Sequence, residues 1–211
     1  GMTELSPVSH LRVGDGSPLN SIGTAVCNTE FKLVDVDSDD LAEIPVPESG
    51  HSAAGELWVR GPQVMLGYLN NPEATAETLT EDKWLRTGDI AEMDKNGNVF
   101  IVDRLKELIK YKGYQVAPAE LEAILLDNPD IADAACSSIF DREGEEVPKA
   151  YVVKQPGSDI TEDDVIEFVA QRVAPYKKVR AVEFMEAIPK SGTGKILRKD
   201  LKAMEAARAE M

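Results

Sequence analysis

Lys195 closes Ser191-Gly192-Thr193-Gly194-Lys195, a glycine-rich run between an expected strand and an expected helix. An ammonium on such a loop can reach an anion beyond its own surroundings, because glycine leaves the backbone free to turn. The phosphate loop of nucleotide hydrolases is excluded. That motif requires glycine where Pro189 stands and serine or threonine where Ile196 stands. A solvated loop lysine is the plain alternative. Asp89 ends Arg86-Thr87-Gly88-Asp89 at an expected strand terminus, a common place for ligand groups; an ordinary turn residue is the competing reading. Arg104 follows the next strand, where Asp103 or Glu107 could pair with it. Lys110, Lys112 and Gly113 form a basic loop ahead of a helix that starts at Pro118.

The elements that must hold these residues change character along the chain. Residues 1–20 are rich in Gly, Ser and Pro and read as loop. Thr24–Asp37 suits one or two strands, and Glu56–Arg60 alternates polar and apolar residues like a half-buried strand. Asn71-Pro72 reads as a helix cap followed by proline at the first helical position. A strand is expected over Trp84–Thr87. Ile90–Met93 and Val99–Val102 flank Asp94-Lys95-Asn96-Gly97, a hairpin signal because Asn-Gly tolerates positive φ. Beyond Lys106 come a helix over Pro118–Asp127, strands at Ile131–Phe140 and Ala150–Lys154 around a charged turn, Asp141–Glu146, and a short strand at Ala181–Phe184. Thr161 and Asp164 are spaced as a capping box before the stripe Val165, Ile166, Val169, Ala170 and Val173. Leu197, Leu201 and Met204 line a last helix. The expected fold class is α+β: a mostly-β subdomain over 1–104, then a small α+β domain over 105–211. No long Pro/Gly linker separates them, so the joint is expected to be a short hinge.

At 211 residues the chain has room for one large domain or two small ones, each with its own core. A formal charge of −15 argues against nucleic acid as a partner, since phosphate backbones need concentrated Lys and Arg. Cys27 and Cys136 lie in strand-like stretches without metal or redox spacing, so buried reduced thiols and a cytoplasmic location are expected. No apolar run approaches the ~18 residues of a membrane span, and no export signal is evident. His10 and His51 sit in loop-like surroundings, which disfavours a histidine-based nucleophile or a multi-histidine metal site.

Two stretches carry a resemblance: Asp103-Arg104-Leu105-Lys106-Glu107-Leu108-Ile109-Lys110-Tyr111-Lys112-Gly113-Tyr114-Gln115-Val116-Ala117-Pro118-Ala119-Glu120, and Pro189-Lys190-Ser191-Gly192-Thr193-Gly194-Lys195-Ile196-Leu197-Arg198. Both resemble signatures of the adenylate-forming enzymes: acyl-CoA ligases, luciferases and peptide-synthetase adenylation domains. Trp84 with Thr87-Gly88-Asp89, Gly1-Met2-Thr3-Glu4, and Gly55-Glu56-Leu57 with Gly61 and Gly67-Tyr68 are similar to further stretches of that family. The last group is assigned mainly to structure. The wording is nearest to coumarate- and fatty-acid-type CoA ligases and beetle luciferases; peptide-synthetase domains usually differ where Lys110–Pro118 stands.

The resemblance implies that a carboxylic acid and ATP form an acyl-adenylate and pyrophosphate, and that coenzyme A then takes the acyl group as a thioester. It implies Lys195 as the catalytic lysine touching both carboxylate and nucleotide. Thr3 would contact the α-phosphate, Glu4 would help hold Mg²⁺, and Asp89 and Arg104 would bind the ribose. Lys106 is the implied hinge. Lys110 and Gly113 belong to a loop that faces the nucleotide after a domain rotation, with room for a thiol arm beside Gly113. The family's phosphate loop, adenine-contacting stretch and acyl pocket are expected ahead of Gly1, so the chain is expected to be inactive alone and its N-terminal end frayed. Two alternatives stand beside this reading: a non-catalytic docking module, and an adenylation domain serving a carrier protein.

Overall fold

The computed structural model describes residues 1–14, 16–141 and 143–209. The chain divides into two compact units, Gly1–Lys106 and Glu107–Met211. The division falls just past the 104/105 boundary expected from sequence.

The first unit is built on a five-stranded antiparallel sheet. Its strands are β3 (Glu30–Val34), β4 (Glu43–Ile44), β5 (Gly55–Arg60), β6 (Leu85–Met93) and β7 (Val99–Arg104), in the order β4-β3-β5-β6-β7. A small ladder pairs β1 (His10–Leu11) with β2 (Thr24–Ala25). Helix α1 (Pro72–Thr78) starts as expected: the Asn71 side chain accepts from the Ala74 N–H, and Pro72 fills the first position, where its missing N–H costs nothing. Leu33, Leu57, Val59, Leu85, Ala91, Met93 and Val99 form the core on one sheet face. On the other face Val34 packs with Trp58 and Trp84, and Lys32 Nζ lies 5.1 Å and 4.8 Å from the two rings. β5 is therefore covered on both faces, not half-exposed as its alternation implied. Glu56 can be buried because its carboxylate accepts from Trp58 Nε1 and from the Gly88 N–H.

Five expectations for this unit are corrected. The strands expected at Trp84–Thr87 and Ile90–Met93 are one strand, β6, which begins at Leu85, because Gly88 takes φ +70° and makes a bulge where a break was expected. The β6–β7 turn places only Gly97 at positive φ; the Asp94 carboxylate accepts from the Asn96 and Asn98 N–H groups and supplies the turn geometry that Asn96 was expected to give. The N-terminal end is not frayed. Thr3–Leu5 forms a single helical turn, Leu5 joins the core, and the Glu4 carbonyl accepts from the Met65 N–H. His10 is likewise in a strand and buried, and Cys27 is exposed, whereas Cys136 is buried as expected.

The second unit layers helices on both faces of a three-stranded sheet. β10 (Ile131–Phe140) pairs antiparallel with β11 (Glu146–Lys154), and β12 (Ala181–Phe184) runs parallel to β11. α2 (Pro118–Leu126) and α3 (Glu162–Ala170) cover one face around Leu121, Leu125, Cys136, Val152, Val165 and Val169. α4 (Arg198–Ala209) covers the other, where Leu201 packs on Ala135 and Tyr151. The capping box is present: Thr161 Oγ1 accepts from the Asp164 N–H, and an Asp164 carboxylate oxygen accepts from the Thr161 N–H. β11 begins earlier than Ala150, at Glu146; Arg142, within the expected charged turn, lies outside the described residues. The stretch Leu108–Tyr114, expected as loop, falls largely within a hairpin of β8 (Ile109–Tyr111) and β9 (Tyr114–Val116).

Candidate functional site

In the first unit the Thr87-Gly88-Asp89 bulge sets the site geometry. Between Glu56↔Ile90 and Trp58↔Arg86 these three residues oppose the single residue Leu57, so they leave the ladder. Side chains take over the lost pairings. Thr87 Oγ1 donates to the Leu57 carbonyl at 2.7 Å and accepts from the Asp89 N–H, and Glu56 accepts from the Gly88 N–H at 3.0 Å. A second irregularity sits opposite: Val102 is an extra residue in β7, which brings Arg104 rather than Asp103 into register with Asp89. Arg104 Nε then stands 2.7 Å from Asp89 Oδ1, while Asp103 Oδ1 accepts from the Arg104 backbone N–H and Glu107 lies against Arg198. Burial raises the Asp89 carboxyl above its ordinary range, and the Arg104 guanidinium opposes that rise. A carboxylate so held has acceptor capacity left for a vicinal diol.

Thr3 is exposed in the N-terminal turn, and Glu4 Oε1 accepts from the Tyr68 hydroxyl at 2.9 Å. Among the described residues no group of three His, Cys, Asp or Glu side chains gathers as a metal cluster. One carboxylate anchored by a phenol fits a divalent cation that takes most of its oxygens from phosphates and water. Glu56, read from sequence as structural, proves to be the support under the Asp89 bulge. The buried charge in β5 was the signal that could have located it.

In the second unit Lys195 sits on a closed turn. The Ser191 N–H donates to the Lys195 carbonyl at 2.8 Å, the Gly194 N–H to the Ser191 carbonyl at 2.9 Å, and Lys190 bridges Ile196. Gly194, at φ +81°, lets the chain reverse. Lys195 is exposed, and among the described residues its ammonium has no ion-pair partner, unlike Lys190, which pairs with Asp133 at 2.6 Å. The Lys110–Tyr114 segment is a two-residue hairpin turn in which Lys112 (φ +49°) and Gly113 (φ +81°) both take the left-handed region. Lys110 is exposed, with its N–H on Glu146, and a Cβ added at Gly113 would meet nothing within 4 Å. Tyr114 stacks on Tyr176 at 4.5 Å, and the Arg180 guanidinium lies 3.7 Å from the Tyr111 ring centroid, so the hairpin is braced from one side. Lys106 falls at the last position of the first unit, in a helical turn over Leu105–Glu107.

Comparison with known proteins gives this arrangement a family. The description "AMP-binding enzyme" matches residues 1–69, and "AMP-binding enzyme C-terminal domain" matches residues 120–195. The chain belongs to the adenylate-forming superfamily. It is 57% identical over 174 residues to 4-coumarate–CoA ligase-like 4 of Oryza sativa subsp. japonica, covering 82% of this chain and 30% of the relative. It is 51% identical over 208 residues to 4-coumarate–CoA ligase 1 of Arabidopsis thaliana, covering 96% of this chain and 36% of the relative. Among solved structures it is similar to ATP-bound MatB from Rhodopseudomonas palustris, with a TM-score of 0.85, 26% identity, and coverage of 97% of this chain and 39% of that one. The chain thus spans between 30% and 39% of the length of these adenylate-forming relatives. Among the described residues no helix is long and apolar enough to cross a membrane.

Proposed function

We propose that this chain is the C-terminal part of an AMP-forming acid–CoA ligase, comprising the last β subdomain of the large domain, 1–104, and the smaller mobile domain, 105–211. What supports this reading most is the Lys195 ammonium on its closed turn, without an ion-pair partner among the described residues, in a chain half identical to ligases named for 4-coumarate and CoA. The first step joins two anions. A carboxylate oxygen bonds to the α-phosphorus of ATP as the bond to pyrophosphate breaks, and Lys195 offsets the charge that gathers there. Asp89 and Arg104 hold the ribose, Thr3 faces the α-phosphate, and Glu4 is the carboxylate available to Mg²⁺, which when bound neutralises phosphate charge. In the second step the CoA sulfur bonds to the acyl carbon and AMP leaves with its oxygen. Lys110 and Gly113 line the thiol approach, after a reorientation about Lys106. A cytoplasmic location belongs to the same proposal.

The chain's limited coverage of its relatives supports a further part of the reading: these residues alone do not turn over. ATP–pyrophosphate exchange with 4-coumarate, and thioester formation with CoA against a loaded carrier protein, test both parts. Exchange by the isolated chain would overturn its inactivity. In the full-length protein, Lys195→Ala is expected to slow acyl-AMP formation at least ~100-fold; an undiminished rate would overturn the reading.

A further inference from the structure

The loop that presents Lys195 has no packing of its own. Cβ atoms added at Gly192 and Gly194 would meet nothing within 4 Å, and Ser191, Thr193 and Lys195 are partly or fully exposed. Beyond the backbone bonds that close the turn and Ile196 packed beneath it, side chains tie it down at its two ends. On the N-terminal side Lys190 pairs with Asp133, but both side chains are about a third exposed (35% and 30%), a setting in which ion pairs hold little. On the C-terminal side Arg198 is far better enclosed, with side-chain exposures of 16% for Arg198 and 11% for Glu122. Arg198 Nη2 reaches both Glu122 oxygens at 2.7 Å, and Nε donates to the Cys136 carbonyl at 3.2 Å. Glu122 Oε1 also accepts from the Cys136 N–H at 2.8 Å, so one arginine and one glutamate, from α4 and α2, engage both backbone groups of a single β10 residue. Glu107 Oε2, next to Lys106, lies 3.9 Å from the same guanidinium.

We infer that Arg198, locked by Glu122, is the positioning residue for Lys195, fixing the point from which the lysine loop projects. The inference rests on the proposed ligase reading. A planar fork is needed for the task. Lysine in its place would keep the charge but could not serve two carboxylate oxygens and a carbonyl at fixed angles. Misplacement of a reacting group by about 1 Å can cost ~10²-fold in rate, so a loosened loop should lower adenylation without changing nucleotide affinity.

The test uses Arg198→Lys and Glu122→Gln in the full-length protein, with adenylation and thioester formation from supplied acyl-AMP measured separately. The expected result is a fall of at least ~10-fold in the adenylation-to-thioesterification ratio with the KM for ATP unchanged. A loss of fold alone would lower both half-reactions together, and an unchanged ratio overturns the inference. Lys195→Ala is the control: if it leaves adenylation intact, the ligase reading fails and takes this inference with it, whereas a dead Lys195→Ala beside an unchanged ratio sinks the inference alone. Amide exchange over Ser191–Ile196 in this chain is the second measurement. Arg198→Lys should accelerate it at least ~10-fold while α3 is unaffected, and no acceleration overturns the proposal.

Discussion

Asp89 and Arg104 stand directly opposite each other across β6 and β7, joined by a 2.7 Å contact between Nε and Oδ1. The pair leaves one carboxylate, partly desolvated and backed by a cation, at the bulge midway along β6 rather than at the strand terminus expected from sequence. That is suited to accepting hydrogen bonds from two adjacent hydroxyls.

Asp89→Asn in the full-length protein is expected to weaken AMP binding about 10- to 100-fold, the range for losing hydrogen bonds to a charged acceptor. Burial raises this carboxyl despite Arg104, so it takes up a proton at a higher pH than an ordinary aspartate. Nucleotide affinity should therefore begin to fall earlier on acidification than a normal carboxylate would dictate, and the Asn variant should lack that phase. Calorimetric titration with AMP across the acidic range checks both statements.

Gly23→Ala should be among the most damaging single-methyl additions in the first unit. Its Cβ would lie 2.1 Å from the Leu11 carbonyl oxygen at φ +90°, and its three nearest neighbours would all be backbone atoms, of Leu11 and Arg12. About 2 kcal/mol or more of stability should be lost, read by urea unfolding.

Gly113→Ala presents the opposite case. Open space surrounds the added methyl, so only φ +81° opposes it, and about 1 kcal/mol is expected. Thioester formation should slow more than adenylation; equal slowing would remove Gly113 from the thiol approach.

Glu183 gives a pH signature to the second unit. Arg208 first, and Lys149 with it, lower its carboxyl from 4.5 to about 2. A carboxyl depressed on folding stabilises above its unfolded pKa and loses that contribution as pH falls through the folded value. Glu183→Gln should thus cost about 1 kcal/mol near neutrality, since Arg208 is half exposed, and the cost should fade between pH 4.5 and about 2. Thermal unfolding of both forms across that window decides it.

How much of this was legible in sequence depended on how local the signal was. The Thr161 capping box, the Asn71-Pro72 cap and β12 rest on neighbouring residues and were read correctly. The β8–β9 hairpin was missed because its turn puts a lysine, Lys112, at positive φ, where Asn or Asp would have announced it. Cys27 sits in apolar company yet follows the strand and precedes Asn28 at φ +59°, so it faces out. Long-range pairings were invisible. Nothing local ties Arg198 to Glu122, and Arg104 looked equally ready to join Asp103 or Glu107.

The supernumerary Val102 makes strand length itself a carrier of charge. Draw that residue into the ladder opposite Ile90 and the strand would slip by one, with Asp103 brought to face Asp89 and two carboxylates confronting each other across β6 and β7. A one-residue slip that preserves every side chain would turn an attractive edge into a repulsive one, so the charge pairing here depends on the bulge being kept rather than on which side chain stands at 102.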